Sequence, residues 1–197
     1  MGRTSTAKER LVDVTGELLR GRGYGSLGVA EICARADVKK GSFYYFFESK
    51  QALTVEVLDA YWREERAAWT AGLTASAPAL DRLRTLLERA SALQRRGKEE
   101  TGTVDGCLLG NLALELSTQE PDVRDRLDAI FDEQIELIAG VLAEAAEEGA
   151  IPADRAGTPL ARAIVAQLEG LVLLAKLKND PAVLDGLWPQ VRMLLGA

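Results

Sequence analysis

The sequence predicts an all-α protein, and three observations support that fold class. Apolar residues recur at helical spacing along most of the 197-residue chain. No alternating strand pattern of useful length occurs, and no internal repeat is present. Helix-start residues, such as Thr6 followed by Glu9 and the proline at position 121, precede several of the periodic segments. We therefore expect helices joined by short connections.

Three short helices are predicted in the first fifty residues. Thr6-x-x-Glu9 has the spacing of a capping box and opens the first helix, which glycines end at Gly21 and Gly23. The second helix is predicted over 29–36 and the third over 39–46, with a tight connection between them. Two short helices joined in this way form a helix-turn-helix.

Longer helices are predicted for the rest of the chain, each from leucine, isoleucine and valine residues at helical spacing. The polar stretch 98–103 is predicted to be a loop, and Pro189 is predicted to kink or split the last segment. The predicted bounds are 49–72, 80–97, 106–117, 121–148, 158–178 and 184–194.

The third helix has the sequence KKGSFYYFF over 39–47, with two different sides. Phe43, Phe46 and Phe47 fall together on a helical wheel and are predicted to pack on the first helix. Two adjacent exposed tyrosines beside two lysines suit a DNA groove, because ammonium groups neutralise phosphates and hydroxyls bond phosphates or base edges. The alternative is a small aromatic-rich bundle with half-buried tyrosines. The residues on the exposed side are Gly41, Ser42, Tyr44 and Tyr45.

Charge is distributed unevenly along the chain. Residues 1–50 carry a net charge of +3 and residues 51–197 a net charge of −9, within a total of −6. This distribution favours contact between the first fifty residues and a polyanion.

The segment GYGSLGVAEICARADVKKGSFYYFFESKQAL resembles the helix-turn-helix of the TetR/AcrR family of bacterial transcriptional repressors, and the similarity runs from about Ala7 to Leu58. It implies a DNA-binding domain over 1–50 and a ligand-binding and dimerisation domain over 51–197. Two departures occur at Leu27 and Gly28, where the family usually has hydroxyl residues, so that phosphate contact is lost or passes to Ser26. The resemblance implies phosphate contacts for Lys40, Tyr44 and Lys50, and places Lys39, Ser42 and Tyr45 nearest the bases.

A homodimer is expected, because one recognition helix spans only a few base pairs and two must lie about one duplex turn (~34 Å) or more apart on a palindromic operator. The long helices 121–148 and 158–178 are the predicted dimer helices. The alternative is that both pack within one subunit.

A small-molecule inducer is expected to bind between helices of the second domain. Polar residues among apolar ones are the better pocket candidates, because a buried polar group needs a partner. Each has the alternative of an exposed helix position. The candidate ligand-binding residues are Trp62, Trp69, Cys107, Asn111, Glu115, Gln134, Gln167 and Lys176.

Cys107 follows Gly106 at a predicted helix start, where the helix dipole favours the thiolate. Lys176 lies within an apolar run and is predicted to lower the pKa of this thiol or to trap its oxidised form. Short stretches around both residues resemble a cysteine-based, electrophile-sensing subgroup of the family. The alternative is that Cys107 is an inert buried thiol, that Lys176 points to solvent, and that the inducer is a reversible apolar ligand. Cys33 is predicted to be a core residue.

Several function classes are excluded or disfavoured. The chain has no histidine and only two cysteines, which excludes His-based catalysis and zinc sites, and no cofactor is expected. A small enzyme acting through Cys107, or through Glu115 and Glu169, is the less favoured alternative. The polar start of the chain, the short apolar runs and the reduced thiols predict a cytoplasmic location with no membrane partner.

Overall fold

A computed structural model describes residues 6–196, and within that range it contains nine α-helices and no strand, which confirms the all-α fold class. Short 3-10 turns occur at Tyr24–Ser26, Ala153–Arg155 and Pro181–Gly186. None of the helices in the described range is both long and apolar enough to cross a membrane. The helices are α1 Ala7–Gly21, α2 Val29–Arg35, α3 Lys40–Phe46, α4 Lys50–Leu73, α5 Ala79–Thr101, α6 Leu108–Leu116, α7 Pro121–Glu147, α8 Thr158–Lys178 and α9 Leu187–Leu195.

Two helix starts form as their local sequences predict. Glu9 N donates to Thr6 Oγ1 at 3.2 Å, and Thr6 N donates to Glu9 Oε2 at 2.7 Å, which is a complete capping box at the start of α1. Ala52 N donates to Ser49 Oγ at 3.0 Å at the start of α4. These side chains satisfy backbone donors that have no partner within their helices.

Two predicted boundaries were wrong. Helix α5 continues to Thr101, through most of the predicted loop 98–103, because lysine and glutamate are good helix formers and polarity alone does not end a helix. Gly102, with a φ of +81°, ends it. The last segment divides at Gly186 rather than at Pro189, since proline is tolerated in the first turn of α9.

The chain divides into two compact units, and neither unit begins or ends at residue 50, where the domain boundary is expected. The first unit comprises the chain up to Glu64 together with Leu108–Asp128, so it contains α1–α3, most of α4, α6 and the start of α7. Leu53 and Leu58 of α4 are fully buried in this unit. Three short helices therefore gain the apolar surface that they need from α4 and α6.

The helix-turn-helix is fastened to α1 by an arginine. Arg10 Nε donates to Ala36 O at 3.0 Å and Arg10 Nη2 donates to Asp37 O at 3.2 Å. Asp37 has a φ of +51°, and Val38 N donates to Cys33 O, which closes the turn between α2 and α3. The arginine thus binds carbonyls that α2 leaves free at its end.

The second unit comprises Glu65–Cys107 and the residues from Ala129 onward. Its polar anchor is the buried Arg82, which pairs with Glu144 and donates to the Leu73 carbonyl. Helix α9 packs on α8 and on α5. The buried side chains of this core include Leu83, Leu87, Ile130, Ile138, Leu142 and Ile164.

Candidate DNA-binding surface and sensor loop

The exposed side of α3 carries the predicted tyrosines and lysines. Tyr44 and Tyr45 are 53% and 83% exposed, and Lys39 and Lys40 are exposed at the start of the helix. Nothing lies near the position of a Cβ on Gly41, so the backbone there is open to a close approach. Tyr44 also meets the buried Phe43 edge to face at 5.1 Å, and the exposed parts of both tyrosines are accessible to a ligand.

Phe46 does not pack with Phe43 and Phe47 as predicted. Phe43 and Phe47 are buried with ring centroids 5.9 Å apart, whereas Phe46 is 36% exposed and meets Tyr45 edge to face at 5.0 Å. Phe46 lies about 60° round the helix from Phe43, on the flank of the buried stripe. The exposed aromatic surface of α3 therefore includes Phe46.

Lys50 has partners within the first unit. Its Nζ donates to Tyr24 O and to Leu27 O, each at 2.9 Å, and lies 3.7 Å from the centroid of the Tyr24 ring. Burial lowers the pKa of Lys50, and the carboxylates of Glu120 and Glu115 oppose that shift. An ammonium group has three donors. The predicted phosphate contact would have to share this ammonium group with the two carbonyls and the Tyr24 ring.

Neither of the two positions that depart from the family pattern carries a hydroxyl, and the hydroxyl of the neighbouring Ser26 is already bonded. Leu27 is buried, and Gly28 begins α2 without a side-chain cap. Ser26 Oγ donates to Gly23 O at 2.8 Å. For Ser26 to donate to a phosphate, its hydroxyl must first turn away from this carbonyl.

Glu115, a candidate ligand-binding residue, binds backbone groups of the first unit through its carboxylate. Its carboxylate accepts from Tyr24 N at 2.8 Å and from Gly25 N at 2.7 Å. Tyr24 OH donates to Glu120 at 3.1 Å. The pKa of Tyr24 is raised, mainly by burial and secondly by its hydrogen bond to the Glu120 carboxylate. Tyr24 and Glu120 of this cluster were not among the predicted site residues, and the only sequence signal for them is the pair of glycines on either side of Tyr24.

The loop before α6 is held in place by two amide side chains of the second unit. Gln94 accepts from Gly106 N at 3.1 Å and donates to Gly106 O at 3.2 Å. Asn179 accepts from Val104 N at 2.8 Å and donates to Gly102 O at 3.1 Å. Both contacts fix the backbone of the segment that ends in Cys107.

Cys107 is half-exposed, and its thiol donates a hydrogen bond to the carboxylate of Glu169. Burial raises the pKa of Glu169, and the bond from the thiol opposes that shift. The predicted influences on Cys107 were a helix N-terminus and Lys176, so Glu169 is an additional group. Cys33 is buried, as predicted for a core residue, and burial raises its pKa while Lys40 opposes that shift.

The other predicted ligand-binding residues differ in burial. Trp62, Trp69 and Gln134 are buried, whereas Asn111 is half-buried and Lys176 is exposed. Gln167 is half-buried and bonds to Gln190. Two clefts of the second unit, of about 450 and 290 Å³, are open to solvent and are lined by other residues. These positions remain predictions for a ligand site.

Two family models match the chain. One describes bacterial regulatory proteins of the tetR family and matches residues 11–57, and the other describes the tetracyclin repressor-like C-terminal domain and matches residues 79–191. The repressor DhaR of a Mycobacterium strain is 33% identical over 94% of this chain and 89% of its own length.

Known structures have the same fold. A TetR regulatory protein of Rhodobacter sphaeroides has a TM-score of 0.84 and 31% identity, over 96% of this chain and 99% of its own. The Escherichia coli repressor NemR, in a structure of its reduced form, has a TM-score of 0.77 and 25% identity over 96% of this chain and 97% of its own. The chain belongs to the TetR family of bacterial regulatory proteins, and it is a helix-turn-helix transcriptional regulator rather than an enzyme.

Proposed function

We propose that the protein is a repressor that binds a palindromic operator as a homodimer and is released by a small-molecule inducer. The observation that carries this proposal is the side of α3 on which Tyr44 and Tyr45 stand exposed beside Lys39 and Lys40. Ammonium groups suit phosphates, and tyrosine hydroxyls suit phosphates or base edges. DhaR and NemR are both named repressors, which supports repression rather than activation.

The DNA contacts can be tested by fluorescence anisotropy with a duplex that the purified protein enriches from a random library. Lys40 and Tyr44 are proposed to contact phosphates, so Lys40→Ala should weaken binding to all duplexes and reduce the salt slope by about two, one for each subunit of the dimer. Lys39, Ser42 and Tyr45 are proposed to read bases, so Tyr45→Phe should lower the preference for the enriched sequence. Arg84→Ala, on α5 of the second unit and away from the proposed DNA and dimer contacts, is the control; if it weakened binding as much as Lys40→Ala, the proposed surface would be wrong.

We place the dimer contact on α8. Leu173, Leu174 and Leu177 are 48%, 43% and 77% exposed on this helix, and an apolar stripe of this kind is typical of an interface. The exposed side of the other predicted dimer helix, α7, is largely acidic, which is less suited to a self-contact. Leu177→Glu should convert the dimer to monomer in analytical ultracentrifugation. Leu114→Glu, at an equally exposed leucine of α6, should leave the dimer intact.

The inducer is proposed to be an electrophile or oxidant sensed at Cys107. The thiol is half-exposed in a loop that Gln94 and Asn179 hold, whereas the second cysteine is buried. That the NemR structure is described as a reduced form suits a sensor of this type. Lys176 is proposed to assist by favouring the thiolate or by trapping the oxidised sulfur. A shift of α4 would then change the separation of the two recognition helices.

The sensor can be tested by adding a quinone to the protein–duplex complex. Release from the unmodified protein, but not from Cys107→Ser, supports sensing at Cys107. Recovery with dithiothreitol would indicate a reversible oxidation, and no recovery an alkylation. Equal release from Cys107→Ser would contradict the proposal. A complex that is indifferent to quinone would favour a reversible apolar inducer.

A further inference from the structure

The turn Tyr24–Ser26 is bound by a carboxylate from a helix far away in the sequence. Glu115 lies near the end of α6, and its two oxygens accept from the consecutive backbone N–H groups of Tyr24 and Gly25. The first N–H groups of a 3-10 turn have no partner within the turn. A charged acceptor makes each of these hydrogen bonds stronger than a neutral one would.

Two glycines make room for this carboxylate. A Cβ on Gly23 would lie 3.1 and 3.3 Å from the two Glu115 oxygens, and a Cβ on Gly25 would lie 3.3 Å from one of them. Gly23 has a φ of −67° and a ψ of 148°, which any residue adopts. The glycine at position 23 is therefore explained by the approach of Glu115 and not by its backbone conformation.

The carbonyl side of the same turn is bound by a cation. Lys50, at the start of α4, donates to Tyr24 O and Leu27 O, and the Tyr24 hydroxyl donates to Glu120. The turn is thus joined to α6 through Glu115 and to α4 through Lys50. We call the contacts of Glu115 and Lys50 with this turn the clamp. Because α2 begins three residues after the turn, the clamp bears on the position of the helix-turn-helix.

We propose that Glu115 is a positioning residue for operator binding: its carboxylate holds the turn Tyr24–Ser26, and with it α2 and α3, in a fixed place on α6. This inference rests on the proposed DNA-binding function. Specific binding requires two recognition helices in register with two half-sites, whereas non-specific binding depends mainly on charge. Loss of the Glu115 contact should therefore reduce specificity more than it reduces affinity for arbitrary DNA.

The proposal is tested by comparing an enriched duplex with a shuffled duplex of the same composition in anisotropy titrations at one salt concentration. Glu115→Ala should weaken binding to the enriched duplex about tenfold and to the shuffled duplex less than about twofold, since two charge-assisted bonds are lost but no DNA contact is. Glu115→Gln keeps one acceptor and should give an intermediate loss. An unchanged ratio between the two duplexes, together with a lower Tm, would leave Glu115 with a purely structural role and overturn the proposal.

A double-mutant cycle gives an independent test. Gly23→Ala should displace the carboxylate and weaken binding to the enriched duplex several-fold, but it should have no further effect when Glu115 is already alanine. Gly21→Ala is the control, because nothing lies near its Cβ position. Additive losses from Gly23→Ala and Glu115→Ala would contradict the proposed contact.

Hydrogen exchange separates failure of this inference from failure of the DNA-binding proposal. The amides of Tyr24 and Gly25 should exchange faster in Glu115→Gln than in the unmodified protein, whether or not any duplex binds. Faster exchange in a protein that does not prefer any duplex would overturn the DNA-binding proposal and leave the clamp intact. Unchanged exchange would remove the clamp itself. If Glu115→Ala does not fold, Glu115→Gln and Gly23→Ala decide the outcome.

Discussion

Asn179 is one of the two side chains that hold the loop ending in Cys107, and its replacement is expected to loosen the loop. Asn179 ends α8 in the left-handed region, with a φ of +49°. Its side chain accepts from the backbone N–H of Val104, a residue that is 3% exposed, and donates to the carbonyl of Gly102. We predict that Asn179→Ala destabilises the protein and increases the reactivity of Cys107.

The magnitude follows from the two bonds and the backbone conformation. Loss of the acceptor leaves the buried N–H of Val104 unpaired, at a cost of about 1–3 kcal/mol in the free energy of unfolding, and the exposed bond to Gly102 adds about 0.5 kcal/mol. Alanine at a positive φ adds about 1 kcal/mol, which glycine avoids. Asn179→Ala should therefore cost about 3 kcal/mol, Asn179→Gly about 2 kcal/mol, and Asn179→Asp, which keeps the acceptor and loses only the bond to Gly102, about 0.5 kcal/mol.

Urea unfolding at a fixed protein concentration measures the order of these variants, because the stability of a dimer depends on concentration. The rate of reaction with Ellman's reagent measures the loop, since Cys33 is buried and Cys107 is half-exposed. If Asn179→Asp were as unstable as Asn179→Ala, the bond to Val104 would make no contribution to stability, contrary to the prediction. Equal thiol rates in Asn179→Ala and the unmodified protein would show that this side chain does not hold the loop.

Three further predictions concern stability, and urea unfolding measures each of them. Phe43→Ala should cost about 3–5 kcal/mol because the ring is fully buried, whereas Phe46→Ala should cost less than about 1 kcal/mol; equal losses would contradict the observed flank position of Phe46. Arg82→Ala should cost about 2–3 kcal/mol because it removes a buried guanidinium that donates to the Leu73 carbonyl and pairs with the exposed Glu144, and Arg84→Ala, in an exposed pair, less than about 0.5 kcal/mol. Burial raises the pKa of Glu169 in the folded protein, so stability should fall as pH rises from the ordinary carboxyl range through the raised pKa. Glu169→Gln should lack that fall, and a fall of the same size in the variant would assign the titration to another group.

A helix end that is set by a specific capping residue can be predicted from the sequence, whereas the general polarity of a segment does not locate a helix end. Thr6 and Glu9 form the predicted capping box because both partners lie within one turn. The end of α5 was misjudged because the residues of 98–101 are polar but favour helix, and the residue that decides the boundary is Gly102 with its positive φ. A stop in a helix needs a conformational reason, and polarity supplies none.

The polar residues of the candidate sites show a different limit. Glu115 was interpreted as a pocket residue because a buried polar group requires a partner, and that rule holds, but the partners are the backbone N–H groups of Tyr24 and Gly25, about 90 residues earlier. Cys107 likewise bonds to Glu169, on a helix that only the tertiary fold brings close. The sequence shows that a polar side chain on an apolar helix requires a hydrogen-bond partner, whereas the identity of that partner depends on long-range contacts. When a carboxylate occurs on an apolar helix, the backbone N–H groups of a short turn are therefore as reasonable a partner for it as a bound ligand.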